Sequence, residues 1–184
     1  MTIHGIALAP DRKNQQRKAA YFSGDTSRID LPYKSAYNLH AMSISAWVYL
    51  EQSSIDQKVI ALNLNNTISD SYNLGIYSNN KVEFWIYDAS GWHGVRSITG
   101  GTVLQQNQWY LIAGIYDGDT LRTYVNGVLD RKAGLGNVSI SYNTTDTVSI
   151  GYSPTGHYFK GKIDDLRVYN RAISEAELLE TYSY

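Results

Sequence analysis

The stretch Leu121-Arg122-Thr123-Tyr124-Val125-Asn126-Gly127-Val128-Leu129-Asp130-Arg131 decides the fold class. Asn and Gly both accept the left-handed backbone that a two-residue type I′ turn requires, and the twist of that turn matches the twist of two antiparallel strands. The residues next to the turn, Thr123, Tyr124, Val125 and Val128, are β-branched or aromatic, which suits a pleated surface. The segment therefore predicts a β-hairpin.

The same grammar recurs on both sides of it. Lys81-Val82-Glu83-Phe84-Trp85-Ile86-Tyr87 alternates polar and apolar, and Ser78-Asn79-Asn80 joins it to Tyr72–Tyr77 as a second hairpin. Further strands are expected at Ser43–Leu50, Lys58–Leu62, Gly94–Ile98, Trp109–Tyr116, Thr147–Gly151 and Lys162–Tyr169. One short helix is expected after Ser174, because Ser174-Glu175-Ala176-Glu177 is a capping box and Ile173 with Leu178 can form a staple across it. Strands and helices do not alternate, which excludes a parallel α/β sheet. The expected fold is all-β, a two-sheet antiparallel sandwich with one C-terminal helix. The 184 residues suit a single domain, with residues 1–19 as a leader carrying an edge strand around His4 to Leu8 and residues 20–184 as the core sandwich.

Composition narrows the function. A net charge of -1 without a basic run argues against nucleic acid. The absence of cysteine excludes disulfides and thiolate metal sites. Apolar runs are too short for membrane insertion, and Met1–Asn14 lacks the apolar stretch of a signal peptide. The chain has 16 Tyr and 4 Trp against 3 Phe. Rings with a polar tip suit half-wet contact surfaces, so the surplus points to a binding face.

Four segments, in order, carry a family resemblance. They are Ala20-Tyr21-Phe22-Ser23-Gly24-Asp25 running to Pro32, Met42–Val48, Gln108–Gly114 with Leu121–Gly127, and Phe159-Lys160-Gly161-Lys162-Ile163-Asp164-Asp165-Leu166-Arg167-Val168-Tyr169-Asn170-Arg171-Ala172-Ile173-Ser174. Together they resemble the laminin G-like jelly-roll domains of the concanavalin A-like lectin/glucanase superfamily. The resemblance implies a jelly-roll sandwich whose opening turn neighbours its last strand. It also implies a structural Ca²⁺ there, with side chains from Asp25 and Asp164 and carbonyls from Ser23 and Ser27. Simple alternation along the last strand puts Asp164 on the apolar face with Leu166 and Val168, where a buried carboxylate needs a partner. Trp47 and Trp109 match family positions in the core.

Sugar rings present C–H faces that lie on aromatic side chains, while their hydroxyls meet polar neighbours. Trp85, Tyr87 and Tyr77 are expected on one outer sheet face, with Trp92, His93 and Arg96 following in the next loop and strand. Tyr152, His157 and Tyr158 form a second aromatic cluster near the opening turn. Catalysis is not expected. Of the five Glu, three (Glu175, Glu177 and Glu180) belong to the helix, and Glu51 and Glu83 have no acidic neighbour at alternate positions. The expected function is a non-catalytic carbohydrate-binding, lectin-like module for an oligosaccharide or polysaccharide. Its expected setting is an extracellular enzyme, an adhesin or a surface protein, with partner domains or self-association. The other reading is a structural or protein-binding domain of a virion or phage fibre.

Overall fold

The computed structural model describes residues 1–63, 70–88, 95–142 and 147–183. Two antiparallel seven-stranded sheets stack face to face. The first runs in the order β1 (Thr2–His4), β4 (Arg28–Leu31), β13 (Thr147–Ile150), β6 (Gln57–Asn63), β7 (Asp70–Ile76), β8 (Lys81–Tyr87) and β9 (Val95–Val103). The second runs β12 (Val128–Gly134), β11 (Thr120–Val125), β10 (Trp109–Tyr116), β5 (Met42–Leu50), β16 (Lys160–Tyr169), β3 (Ala19–Ser23) and β2 (Ala7–Ala9). A small hairpin, β14 (Tyr152–Ser153) with β15 (His157–Tyr158), stands beside them, and helix α1 (Glu175–Ser183) follows the last strand.

The alternation read in the sequence sets the layers. Val82, Phe84 and Ile86 point into the core with Leu74, Ile76, Ile44, Val48 and Ile112. The sheets approach closely at Gly114, where a Cβ would lie 2.4 Å from the Phe84 ring. The turn at Asn126 and Gly127 has φ of 53° and 79°, both left-handed as a type I′ turn demands. Helix α1 covers part of the second sheet's outer face, where Trp47, Leu111, Ala113, Ile115 and Tyr124 pack on Ile173 and Leu178. Trp109 packs against that cluster from its margin.

Two local expectations are corrected. The leader forms two short edge strands, one on each sheet, separated by Gly5 with φ 57°. In β16 the register shifts between Asp164 and Arg167, and Asp165 adopts φ 46°. Such a bulge inserts one extra residue and inverts the facing of all that follows. Ile163 and Leu166 therefore both face the core. Asp164, paired in register with Trp47, lies on the outer face and not on the inner one.

Candidate functional site

The outer face of the first sheet carries a continuous row across its strands. The registers place Asp30 beside Ser149, Ser149 beside Ala61, Ala61 beside Asn73, Asn73 beside Trp85, and Trp85 beside Ser97. The middle of the row, Ser149, Ala61 and Asn73, is buried, and the partly exposed Asp30 and Trp85 stand on either side of it.

On the β8 side, Glu83, Trp85 and Tyr87 alternate outward. Lys58 reaches over from β6, its Nζ 2.8 Å from Glu83 Oε2 and 5.7 Å from the centre of the Trp85 ring. Among the described residues no acceptor reaches the buried Trp85 Nε1. On the β4 side, Asp30 accepts two side-chain hydrogen bonds and has His4 beside it. Arg28 Nε donates to Oδ2 at 2.9 Å, the Ser149 hydroxyl donates to Oδ1 at 2.8 Å, and His4 Nε2 lies 3.3 Å from Oδ2. The Arg28 guanidinium also covers the Tyr152 ring at 5.3 Å.

The β14–β15 hairpin adds the other aromatic cluster. Tyr152 and Tyr158 pair across it with ring centres 4.6 Å apart. Burial, followed by the Tyr158 neighbour, raises the Tyr152 phenol above its ordinary range. His157 Nδ1 contacts Thr155 Oγ1 at 2.8 Å, and its Nε2 lies 3.9 Å from Asp56 Oδ2. Gly24, Ile55, Asp56, Ser78, Gly156, His157 and Tyr158 line an open groove of about 450 Å³.

Tyr77 shares the outward parity of Trp85, but it sits opposite Lys81, four residues along β8 and about 13 Å away. It is 40 % exposed and adjoins Ser78, which lines the hairpin groove. Arg96 lies opposite the inward Ile86 and pairs with Asp88 at 3.2 Å, so it is not on the Trp85 face. Trp92 and His93 lie outside the described residues. Sequence reasoning missed Lys58, Arg28, Asp30 and Ser149. They come from strands far apart in the chain, and only the register brings them together.

The expected calcium ligands do not meet. Lys160 pairs with Ser23 and Ile163 with Ala20, so Asp164 lies four residues along β16 from the opening turn, about 13 Å away. Each carboxylate is satisfied where it stands. Asp25 accepts from the hydroxyl of Ser23, the Thr26 amide and the Thr26 hydroxyl, and these bonds, Ser23 first, hold its carboxyl below the usual range. Ser27 donates its hydroxyl to the Gly5 carbonyl at 2.9 Å. Arg12 Nη1 lies 2.8 Å from Asp165 and 3.5 Å from Asp164, with the guanidinium carbon 4.7 Å from the centre of the Trp47 ring. Burial, and then the Asp165 charge, push the Asp164 carboxyl up. Among the described residues no three His, Asp or Glu side chains converge on a point that could hold an ion. A cation joining Asp25 to Asp164 does not fit this geometry.

Two stacked antiparallel sheets with a single terminal helix define a jelly-roll sandwich of the lectin type. The chain belongs to the concanavalin A-like lectin/glucanases superfamily, whose laminin G family model matches residues 23–179. No curated protein sequence matches it. Among solved structures it is similar to domain 4 of AbnA, a GH43 extracellular arabinanase from Geobacillus stearothermophilus, in complex with arabinotriose. That likeness has 20 % identity and a TM-score of 0.72, over 95 % of this chain and 80 % of that one. It is also similar to the CBM40 of the Ruminococcus gnavus IT-sialidase, at 16 % identity and a TM-score of 0.69, over 90 % and 96 % of the two chains. The binding domain of Paraclostridial Mosquitocidal Protein 1 shares 15 % identity with a TM-score of 0.69 over 97 % of this chain, which spans 45 % of that domain. At these identities the shared property is the fold.

Proposed function

We propose that this protein is a non-catalytic carbohydrate-binding jelly-roll module, and that the outer face of its first sheet holds the ligand. The observation that carries the reading is the row from Asp30 through Ser149, Ala61 and Asn73 to Trp85. Around the buried middle of the row, the partly exposed Trp85 and Glu83 on one side and Tyr152, Arg28 and Asp30 on the other offer ring faces and oriented polar groups. Similar folds in the arabinanase domain with arabinotriose and in the sialidase CBM40 support a sugar as the ligand class.

A binding role accounts for the carboxylates better than hydrolysis does. Glu83 and Asp30 are separated by four strand spacings, about 19 Å, against ~5–9.5 Å for a pair of hydrolytic carboxyl groups. Each is also held in an ion pair. A polysaccharide ligand is met outside the cell or on a cell or virion surface, which suits a module attached to an enzyme, adhesin or surface protein. Isothermal titration against an oligosaccharide panel tests the reading. Binding of one sugar class by the unaltered chain, lost in both Trp85→Ala and Tyr152→Ala while the thermal transition remains cooperative, supports it. Undiminished binding in both variants refutes the assigned face.

A further inference from the structure

We propose that this face takes an uncharged oligosaccharide and discriminates against sialylated or uronic-acid-bearing glycans, an inference that rests on the carbohydrate reading above. The charges on the face are already engaged with one another. Lys58 lies 2.8 Å from Glu83, and Arg28 lies 2.9 Å from Asp30. His4 shares the Asp30 carboxylate at 3.3 Å, and at the hairpin His157 faces Asp56 at 3.9 Å. Among the described residues, Lys58 and Arg28, the cations that border the row, therefore each have a carboxylate of this chain beside them. An acidic glycan approaching Lys58 or Arg28 meets Glu83 or Asp30 in the same place, and like charges brought together oppose binding.

Arg96, on the neighbouring strand, has the facing of the inward Ile86 and pairs with Asp88. Lys81, at the turn end of β8, stands about 13 Å along the strand from Trp85 and outside the row.

An uncharged sugar needs something different, and the face supplies it. A paired carboxylate keeps unused acceptor lone pairs, and a guanidinium with one engaged N–H keeps further donors. Asp30, Glu83 and Arg28 thus remain able to hydrogen-bond hydroxyls while their ion pairs hold them in fixed orientations. The partly exposed Trp85 and Tyr152 rings stand on the two sides of the row. Recognition through hydrogen bonds and ring contact has little long-range electrostatic character, so it should be nearly insensitive to ionic strength.

The test is calorimetric titration of the full chain with arabinotriose, xylotetraose and cellotetraose against sialyllactose and tetragalacturonate, at ~0.05 and ~0.5 M NaCl. The expected result is that at least one neutral oligosaccharide binds with a Kd that changes by less than about twofold between the two salts, while the acidic ones bind at least ~tenfold more weakly. An acidic glycan that binds more tightly than every neutral one, and loses affinity as salt rises, overturns the inference and leaves the carbohydrate reading standing. Silence across both panels overturns the carbohydrate reading itself.

Discussion

The Lys58 ammonium lies 2.8 Å from the Glu83 carboxylate, with only 5 % of the lysine side chain and 14 % of the glutamate side chain exposed. The two residues stand on β6 and β8, with β7 between them, and Gly75 is the residue they reach across. Gly75 has to be glycine here. A Cβ would sit 2.5 Å from the Gln57 carbonyl oxygen and 3.1 Å from Lys58 Cδ, filling the path of the lysine side chain.

Breaking this pair from one side leaves a shielded charge with no partner. Glu83→Gln is therefore expected to lower unfolding free energy by about 3 kcal/mol, whereas Lys58→Met combined with Glu83→Leu recovers most of that loss. Urea unfolding of the three variants measures it. A Glu83→Gln protein as stable as the parent would show that the ion pair is looser than the geometry requires.

Arg12 does the joining that a metal was expected to do, tying the leader to Asp164 and Asp165 of the last strand. Chelation with EDTA and addition of Ca²⁺ should accordingly leave Tm within about 1 °C. Arg12→Met should cost about 2 kcal/mol, or ~6 °C in Tm, because it leaves two adjacent carboxylates unpaired. A fall of several degrees on chelation would mean that an ion contributes to the fold after all.

At the start of α1, the Ser174 amide donates to Glu177 Oε2 at 2.8 Å and the Glu177 amide donates to Ser174 Oγ at 3.2 Å. Arg171 adds two further contacts to the same carboxylate. Arg171 first, and then the Ser174 amide, draw the Glu177 carboxyl down to about 2. Its folded value lies below the unfolded one, so its contribution is complete above the ordinary Glu range and is lost as pH falls toward about 2. Carbon-detected NMR titration of the Glu177 carboxyl should show a midpoint near the lower figure, and Arg171→Ala should raise it. A midpoint near 4.5 in the parent protein would contradict the contact.

Local features of the fold were legible because their causes are local. Asn126-Gly127 announces its own turn, Val82 to Tyr87 alternates without interruption, and Ser174 to Glu177 is a self-contained cap. The bulge at Asp165 was not legible. Nothing in Ile163-Asp164-Asp165-Leu166 marks where one residue drops out of the pleat, and the parity of Asp164 inverted with it. The site was half legible for a related reason. Trp85 and Tyr152 stood out as residue types, and the alternation of β8 gave the facing of Trp85. Ser149 and Asp30 are 119 residues apart in the chain and meet only because β13 pairs with β4 in one particular register. Arg12, from a leader with little signal, acts through a contact 153 residues distant.

The claim that the Trp85 row is a ligand face is tested most directly by mapping backbone and indole chemical-shift changes as a bound oligosaccharide from the titration panel is added to the isotope-labelled chain. The reading predicts that the largest changes fall on the Trp85 indole, Asn73, Lys58, Ser149 and Tyr152, with the helix-covered face around Trp47 unmoved. Changes confined to the second sheet, or to the edge strands alone, would contradict it.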